Sequence, residues 1–243
     1  MIRPKVQLAC LAALLVVLAG PVLAQQVTLD MGEGGSLATR SVQLMVLITV
    51  LSIVPGLAVM VTCFPFIVTV LSILRQGLGL QQAPPNMLII SLAMFLTWFV
   101  MDPVLTEAWQ QGVETFTADQ IDLATSITRT TEPFRGFMAN RIDPETFATM
   151  DALRPREGTG VRDAPLSVLV PSFMLSELQR AFEIGFMIFL PFLIIDLVVS
   201  AILMSMGMMM VPPAVVSLPF KLAFFVVADG WSLIAGALVR SYM

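Results

Sequence analysis

Residues 204–213 read MSMGMMMVPP and separate two long apolar segments in the last third of the chain. Gly207 is suited to end the incoming helix, and the paired prolines Pro212 and Pro213 prevent an immediate restart. The sequence therefore predicts a helical hairpin over residues 166–243 with a methionine-rich tip. Methionine is unbranched and polarisable, so it fits surfaces of irregular or changing shape. Composition leaves two interpretations of the tip open: a deformable apolar ring when it is repeated around an axis, and a gap-filling core within a single hairpin.

The first arm of the hairpin carries charges at a regular spacing. Glu177, Arg180 and Glu183 recur every three residues, which places the arginine between two acids on neighbouring helical positions. We interpret them as a solvated ion ladder in preference to a functional relay. If residues 171–206 are helical, they extend roughly 50 Å, more than the hydrocarbon thickness of a bilayer, so the first turns are expected outside lipid.

Three further charges lie in apolar surroundings: Asp196 in the first arm, and Lys221 and Asp229 in the second. An ionised carboxylate that faces lipid is costly, so these groups are expected to face protein or water. They indicate either a proton pathway or packing contacts between helices or subunits. The absence of histidine and of a repeated acidic pattern favours packing contacts.

Residues 41–109 contain the first two hydrophobic segments. The stretch 41–74 has no charged residue and is longer than the roughly 20 residues that a spanning helix needs. Pro55-Gly56 and Pro65 interrupt it, which predicts a kinked helix or two half-helices. The second segment runs from about Met87 to Trp109.

Residues 1–24 have the pattern of a cleaved signal peptide: Arg3 and Lys5, an apolar run, and a small-residue ending at Ala24. Cleavage would export residues 25–40. Two spans would then place residues 110–165 in the periplasm, as a small and mostly helical domain with a flexible loop at 154–163. The arginines of this domain oppose that orientation by the positive-inside rule, but long loops translocate largely regardless of charge.

Composition narrows the class of protein. The chain is 57% hydrophobic and 12% charged, which indicates an all-α membrane protein with long kinked helices and a small helical extramembrane domain. It has no histidine, and Cys63 is its one cysteine outside the signal peptide, so zinc sites and histidine-based catalytic triads are excluded. The formal net charge of −4 gives no basic patch for nucleic acid. We expect no cofactor and no enzymatic activity.

Several segments resemble the FliP family of type III export gate subunits. In the last third these are EIGF (183–186), FLPF (189–192), DLV (196–198), MGMMMVPP (206–213), LPFK (218–221) and DGW (229–231). Further upstream, RQGLG (75–79) and QAPPN (82–86) are similar to the same family. The resemblance covers the chain from about residue 41 to the end.

The resemblance implies a subunit of the flagellar export gate in the bacterial inner membrane, at the flagellar basal body. It implies a ring of five copies that combines with FliQ and FliR, an assembly factor FliO, and the further partners FlhA and FlhB. It also implies that Met208, Met209 and Met210 form a gasket around unfolded flagellar export substrates. Glu183, Asp196, Lys221 and Asp229 remain candidate interface or buried charges.

Two alternatives stay open. One is a proton or small-ion channel built on Asp196, Lys221 and Asp229. The other is a purely structural nucleus for basal-body assembly, for which the methionines of the tip would be dispensable.

Overall fold

The structure is a computed structural model that describes residues 37–80, 84–153, 160–208 and 210–243. The predicted signal peptide, residues 25–36 of the predicted exported segment, and residues 154–159 of the predicted loop lie outside this part of the chain. The chain divides into two units, Met1–Thr49 and Val50–Met243. Within the described residues of the first unit, the chain is helical from residue 37 onward and its side chains are largely exposed.

The described residues are mainly helical and contain no strand, as expected for an all-α membrane protein. The α-helices are α1 (Leu37–Met60), α2 (Phe64–Gly77), α3 (Asn86–Ala108), α4 (Thr115–Thr117), α5 (Leu123–Arg141), α6 (Pro144–Ala152), α7 (Leu166–Ser205), α8 (Pro213–Val227) and α9 (Gly230–Arg240). A π-helix, Trp109–Glu114, joins α3 to α4.

The first hydrophobic segment forms two helices, which is one of the two predicted arrangements. Pro55 lies inside α1 and does not end it, whereas Pro65 lies in the first turn of α2. Proline is tolerated there because the first amides of a helix have no intrahelical acceptor. The chain therefore breaks at residues 61–63, immediately before Phe64-Pro65.

The central packing of the second unit joins α2 to α7. The buried positions of α2 recur at helical spacing and form one apolar face: Phe66, Ile67, Val70, Leu71 and Leu74. Gly185 on α7 allows a close approach, because a Cβ there would lie 2.4 Å from Cδ1 of Ile73. The core of this unit is thus built where α2 crosses the middle of the longest helix.

Helix α7 has 40 residues and continues through Pro171 and Pro191. At about 1.5 Å per residue it extends about 60 Å, roughly twice the hydrocarbon thickness of a bilayer. Its N-terminal part packs against α5 and α6 around a second apolar cluster that includes Met138, Phe147 and Phe173. One helix therefore both packs on the second apolar cluster near its N-terminus and is long and apolar enough to be a candidate span.

By length and hydropathy, two helical stretches can cross a membrane: Asn86–Thr117 and Leu166–Ser205. Two pairs of consecutive helices pass the same test together but are bent at a short break, so the described residues hold two to four spans. One of these pairs is α8 and α9, which are bent by 61°. The predicted second arm of the hairpin is consequently two helices that meet at Asp229.

Candidate functional site

The hairpin tip is fixed by hydrogen bonds of a helix-ending motif. Gly207 has φ 73°, and its amide donates to the carbonyl of Met204, while the amide of Met208 donates to the carbonyl of Leu203. This pair of bonds is the Schellman arrangement, which needs a left-handed residue that glycine adopts without strain. Pro213 then begins α8. The turn predicted from the Gly and Pro-Pro signals is confirmed.

The methionine side chains of the tip are uncovered. Met206 is 66% exposed, Met208 40% and Met210 98%. Met209, the third predicted gasket residue, lies outside the described residues. No side chain of the described chain covers Met210, so the tip presents soft apolar groups to whatever lies beyond this protomer.

Two of the three predicted buried charges form one ion pair. Lys221 on α8 donates to Oδ2 of Asp196 on α7 at 2.6 Å and to the carbonyl of Gly77 at 3.0 Å. The hydroxyl of Ser217 donates to Oδ1 of Asp196 at 2.6 Å. Gly77 is the last residue of α2, so the ammonium also satisfies a carbonyl at a helix C-terminus. The ion pair of Asp196 and Lys221 therefore links α2, α7 and α8.

The other two candidate charges lie elsewhere. Asp229 is exposed and has φ 49° and ψ 48°, the left-handed conformation, at the break between α8 and α9. Aspartate tolerates this conformation better than most residues. Glu183 is also exposed and accepts a hydrogen bond from the side-chain amide of Gln179 at 3.1 Å.

The interpretation of Glu177, Arg180 and Glu183 as a solvated ladder is wrong for Glu177. That carboxylate is buried and accepts from Nε of Arg141 at 3.0 Å and from Arg180 at 3.3 Å. Each residue advances about 100° around the axis of an α-helix, so the side chains of residues three apart point about 60° away from each other. Glu177 and Glu183 are six residues apart, and their side chains therefore point about 120° away from each other. One acid therefore points into the protein and the other into solvent.

A residue near the C-terminus completes this buried cluster. The Tyr242 hydroxyl donates to Glu177, and the guanidinium of Arg141 lies 4.1 Å from the centre of the Tyr242 ring. Arg141 also donates to the carbonyl of Ser241 at 2.8 Å. Burial, reinforced by the charge of Glu177, raises the pKa of Tyr242, so its hydroxyl keeps its proton. The cluster joins α5, α7 and the residues after α9.

One signal in the sequence locates the buried acid. Glu177 lies four residues after Phe173, and Ala181 and Gly185 follow at the same spacing. All four are buried, because residues spaced by four share a face of the helix. Whether Glu177 is buried is therefore predicted better by its spacing of four from apolar and small residues than by its spacing of three from other charges.

The described residues do not suggest a metal centre, since they contain no group of three or more acidic, cysteine or histidine side chains close enough to hold an ion. What the arrangement offers is a soft apolar tip on a braced hairpin.

Comparison with known proteins gives the family. The sequence profile of the FliP family matches residues 47–238. Flagellar biosynthetic protein FliP of Agrobacterium fabrum is 48% identical over 236 residues, which cover 95% of this chain and 96% of that protein. The proteins of the same name from Bacillus subtilis and Aquifex aeolicus are 44% and 40% identical; the alignments cover 84% and 94% of this chain, and 93% and 97% of theirs. A match of this extent and identity establishes membership, and the chain belongs to the FliP family.

Proposed function

We propose that this chain is the pore-forming subunit of the flagellar type III export gate, through which unfolded flagellar proteins cross the inner membrane. Family membership and the apolar helices support a membrane component of flagellar biosynthesis. The observation that carries the finer proposal is the hairpin tip, whose methionines are exposed on a turn braced by hydrogen bonds. These methionines lie in the turn between α7 and α8, outside the candidate span Leu166–Ser205.

The chemistry of methionine suits a seal around a moving polypeptide. Its side chain has three rotatable bonds and no branch, so it adapts to passing side chains of any shape. β-Branched residues are restricted to few rotamers and would fit one shape only. Met208, Met209 and Met210 are therefore proposed as the gasket, which is completed when several copies bring their tips together.

The copies are proposed to form a ring that binds FliQ and FliR, with the pentameric stoichiometry that the family resemblance implies. FliO would assist assembly, and FlhA and FlhB would act beside the gate. Residues 110–165 would lie in the periplasm. The amphipathic character of α5 and α6 supports an extramembrane position for this region, since its apolar face packs on α7 and its polar face is exposed.

The ion-channel alternative receives less support. A relay built on Asp196, Lys221 and Asp229 requires that protons pass between them. Asp196 and Lys221 bind each other, Ser217 and a backbone carbonyl, while Asp229 adopts a left-handed turn conformation and its side chain makes no capping hydrogen bond. These contacts favour bracing over conduction.

The gasket is tested by replacing Met208, Met209 and Met210 together with alanine in motile cells. We expect assembly of the gate to persist, flagellar protein secretion to fall, and the membrane to leak ions, because alanine is too short to close the aperture. Replacement of the same three residues with leucine is the matched control and should retain most of the seal. Normal secretion without leakage in the alanine variant would refute the proposal and favour a purely structural subunit.

Assembly is tested separately by native mass spectrometry of the detergent-extracted protein, expressed with and without FliQ and FliR. We expect a homo-oligomer whose subunits lack residues 1–24 and which takes up both partners. A stable monomer or dimer that binds neither FliQ nor FliR would instead favour the ion-channel alternative.

A further inference from the structure

Asp229 has no partner for its charge among the residues that the structure describes. It lies at the break between α8 and α9, the bent pair of helices that is apolar and long enough to be one membrane span. Its side chain is exposed, makes no capping hydrogen bond, and forms no ion pair with a described residue. An ionised carboxylate that faces lipid is costly. Asp229 therefore needs a partner from outside this protomer.

The side chains next to Asp229 indicate a protein partner. Val226 is 74% exposed, Val227 88% and Leu233 59%, so uncovered apolar groups precede and follow the carboxylate along the chain. Water would leave these groups uncovered, whereas a protein surface covers them and the charge together. Apolar contacts that surround a charge also exclude water from it, which strengthens its interaction with an opposite charge.

The carboxylate projects from a rigid bend. Gly230 lets Phe225 pack against the break, because a Cβ at residue 230 would lie 2.2 Å from the Phe225 ring. Phe225 in turn meets Trp231 edge to face, with ring centres 5.3 Å apart. Asp229 itself is left-handed, a conformation that glycine adopts with less strain. The bend alone therefore does not account for a carboxylate at this position.

Arg75, near the end of α2, carries the complementary charge. It is partly exposed, and its guanidinium donates to the side-chain carbonyl of Asn86, a neutral acceptor. No described carboxylate forms an ion pair with it. Arg75 and Asp229 are thus two opposite charges of one chain, and in the isolated protomer each lacks a charged partner among the described residues.

Arg75 and Asp229 both lie beside the N-terminal end of α3. Arg75 binds Asn86, the first residue of that helix, and Trp231, which follows Asp229 closely, lines an apolar cavity with Leu88 in its first turn. Rotation about one axis leaves heights along that axis unchanged, so the surfaces of neighbouring copies that meet in a ring lie at equal heights. Around an axis that runs along α3, Arg75 of one copy and Asp229 of the next can therefore meet.

Other described cations of the second unit are less suited to this contact. Lys221 is already paired with Asp196. Arg240 lies in the last turn of α9, about 16 Å along that helix from Asp229. The others lie on α5, on α7 and in the segment between α6 and α7: Arg129, Arg135, Arg141, Arg162 and Arg180.

We propose that Asp229 of one copy forms an ion pair with Arg75 of the next copy, and that Val226, Val227 and Leu233 pack around this pair. The inference rests on the proposed function, since that function needs a ring, and it names residues that join neighbouring copies. The contact is heterologous: each copy gives its Asp229 to one neighbour and its Arg75 to the other. Contacts of this kind close into rings.

The first test is a double-mutant cycle on the association of copies. Asp229→Asn keeps a residue that tolerates the left-handed conformation, and Arg75→Gln keeps a donor for Asn86, so each removes one charge with little change of shape. Native mass spectrometry of the detergent-extracted protein, over a range of concentrations, reads the oligomeric fraction. We expect each single variant to weaken the contact by roughly 30-fold or more. The double variant should be no weaker than the weaker single variant, since the pair is lost in both.

Asp119→Asn is the matched control. Asp119 is also an exposed aspartate with a left-handed backbone, at φ 54°, but it lies between α4 and α5 and outside the candidate spans. This variant should associate like the parent protein. A loss as large as that of Asp229→Asn would overturn the inference, because it would show that the effect is not specific to the break between α8 and α9.

Cross-linking tests which surfaces meet. Two differently tagged copies, one with Arg75→Cys and the other with Asp229→Cys, are expressed together and treated with a short thiol-reactive cross-linker, because an arginine–carboxylate contact holds the two Cα atoms farther apart than a disulfide spans. Cys63 is buried and therefore reacts little. We expect mixed dimers that carry both tags, and no cross-link in cells that express either variant alone.

The outcomes separate this inference from the proposed function. A ring that forms without any mixed cross-link, or single-variant losses that add in the double variant, would overturn the ion pair and leave the export gate intact. Cross-links from one variant alone would also overturn it, because they would indicate a two-fold contact between like surfaces. A parent protein that stays monomeric, alone and with FliQ and FliR, would refute the ring itself and with it the proposed function.

Discussion

In the ion pair between Asp196 and Lys221, loss of the aspartate and loss of the lysine should lower the unfolding free energy by different amounts. Replacement of Asp196 with asparagine leaves the ammonium of Lys221 buried, with 6% of its side chain exposed and the carbonyl of Gly77 as its remaining strong acceptor. An unpaired buried charge of this kind costs about 3–5 kcal/mol of unfolding free energy. The change is isosteric, so the cost reports on charge and not on packing.

Loss of the lysine should cost less. In Lys221→Met the carboxylate of Asp196 loses its cation, but its side chain is 33% exposed and keeps the hydroxyl of Ser217 as a donor. Water can solvate it in part, so the expected cost is about 1–3 kcal/mol. In the double variant Asp196→Leu/Lys221→Met no charge remains to be desolvated, and the stability should return close to that of the parent protein.

The assay is thermal unfolding of the detergent-extracted protein, followed by tryptophan fluorescence. A loss of 1 kcal/mol lowers the Tm of a chain of this size by about 2–4 °C, so Asp196→Asn should lower it by roughly 6–20 °C. Lys221→Met should lower it by a smaller amount. Equal losses for the two single variants, or a double variant that is less stable than either, would refute the reasoning that burial of the lysine dominates the energetics.

Three further predictions follow from individual contacts. Gly185→Ala should lower the unfolding free energy by about 1–3 kcal/mol, because the new Cβ meets Ile73. Gly136→Ala is the control: no atom lies within 4 Å of its new Cβ, so the unfolding free energy should stay unchanged or rise. Thermal melts of the two variants, measured in parallel, test this. Glu177→Gln should cost about 3–5 kcal/mol, because two arginines lose a fully buried partner, and an unaltered Tm would contradict the ion pairing. Hydrogen bonds from the first turn of α6 lower the pKa of Asp143, so its stabilising contribution is complete above its unfolded pKa and is lost as the pH falls below about 4. The protection factors for amide exchange in residues 144–152, which are corrected for the intrinsic pH dependence of exchange, should therefore fall at acid pH, and an Asp143→Asn variant should not show this fall.

The hairpin can be predicted from the sequence because its signals are local. Gly207 and Pro212-Pro213 specify a helix end and a restart whatever surrounds them, and the structure has both. The break before Phe64-Pro65 also follows from a local signal, the proline. It gives two half-helices, which is one of the two predicted arrangements. Local backbone chemistry determines where helices begin and end.

The contacts between helices cannot be predicted in the same way. Whether Lys221 reaches Asp196 or Asp229 depends on how α8 packs on α7, and no local signal decides that packing. The charge spacing alone predicts a surface position for Glu177, because it ignores the apolar spacing of the same helix. The role of Tyr242 depends on the path of the chain after α9, which places it beside residues far away in sequence.

The length of α7 has a mechanical consequence. The buried acid at Glu177 and the last turn of the helix at Ser205 lie about 40 Å apart along one continuous rod, at about 1.5 Å per residue. A tilt of about 5° around the buried acid would therefore shift the far end of the rod by about 3–4 Å, close to the diameter of a methyl group. A small rearrangement of α5 and α6, which pack on the N-terminal part of α7, would thus be amplified into a displacement of the methionine tip at the other end of the helix.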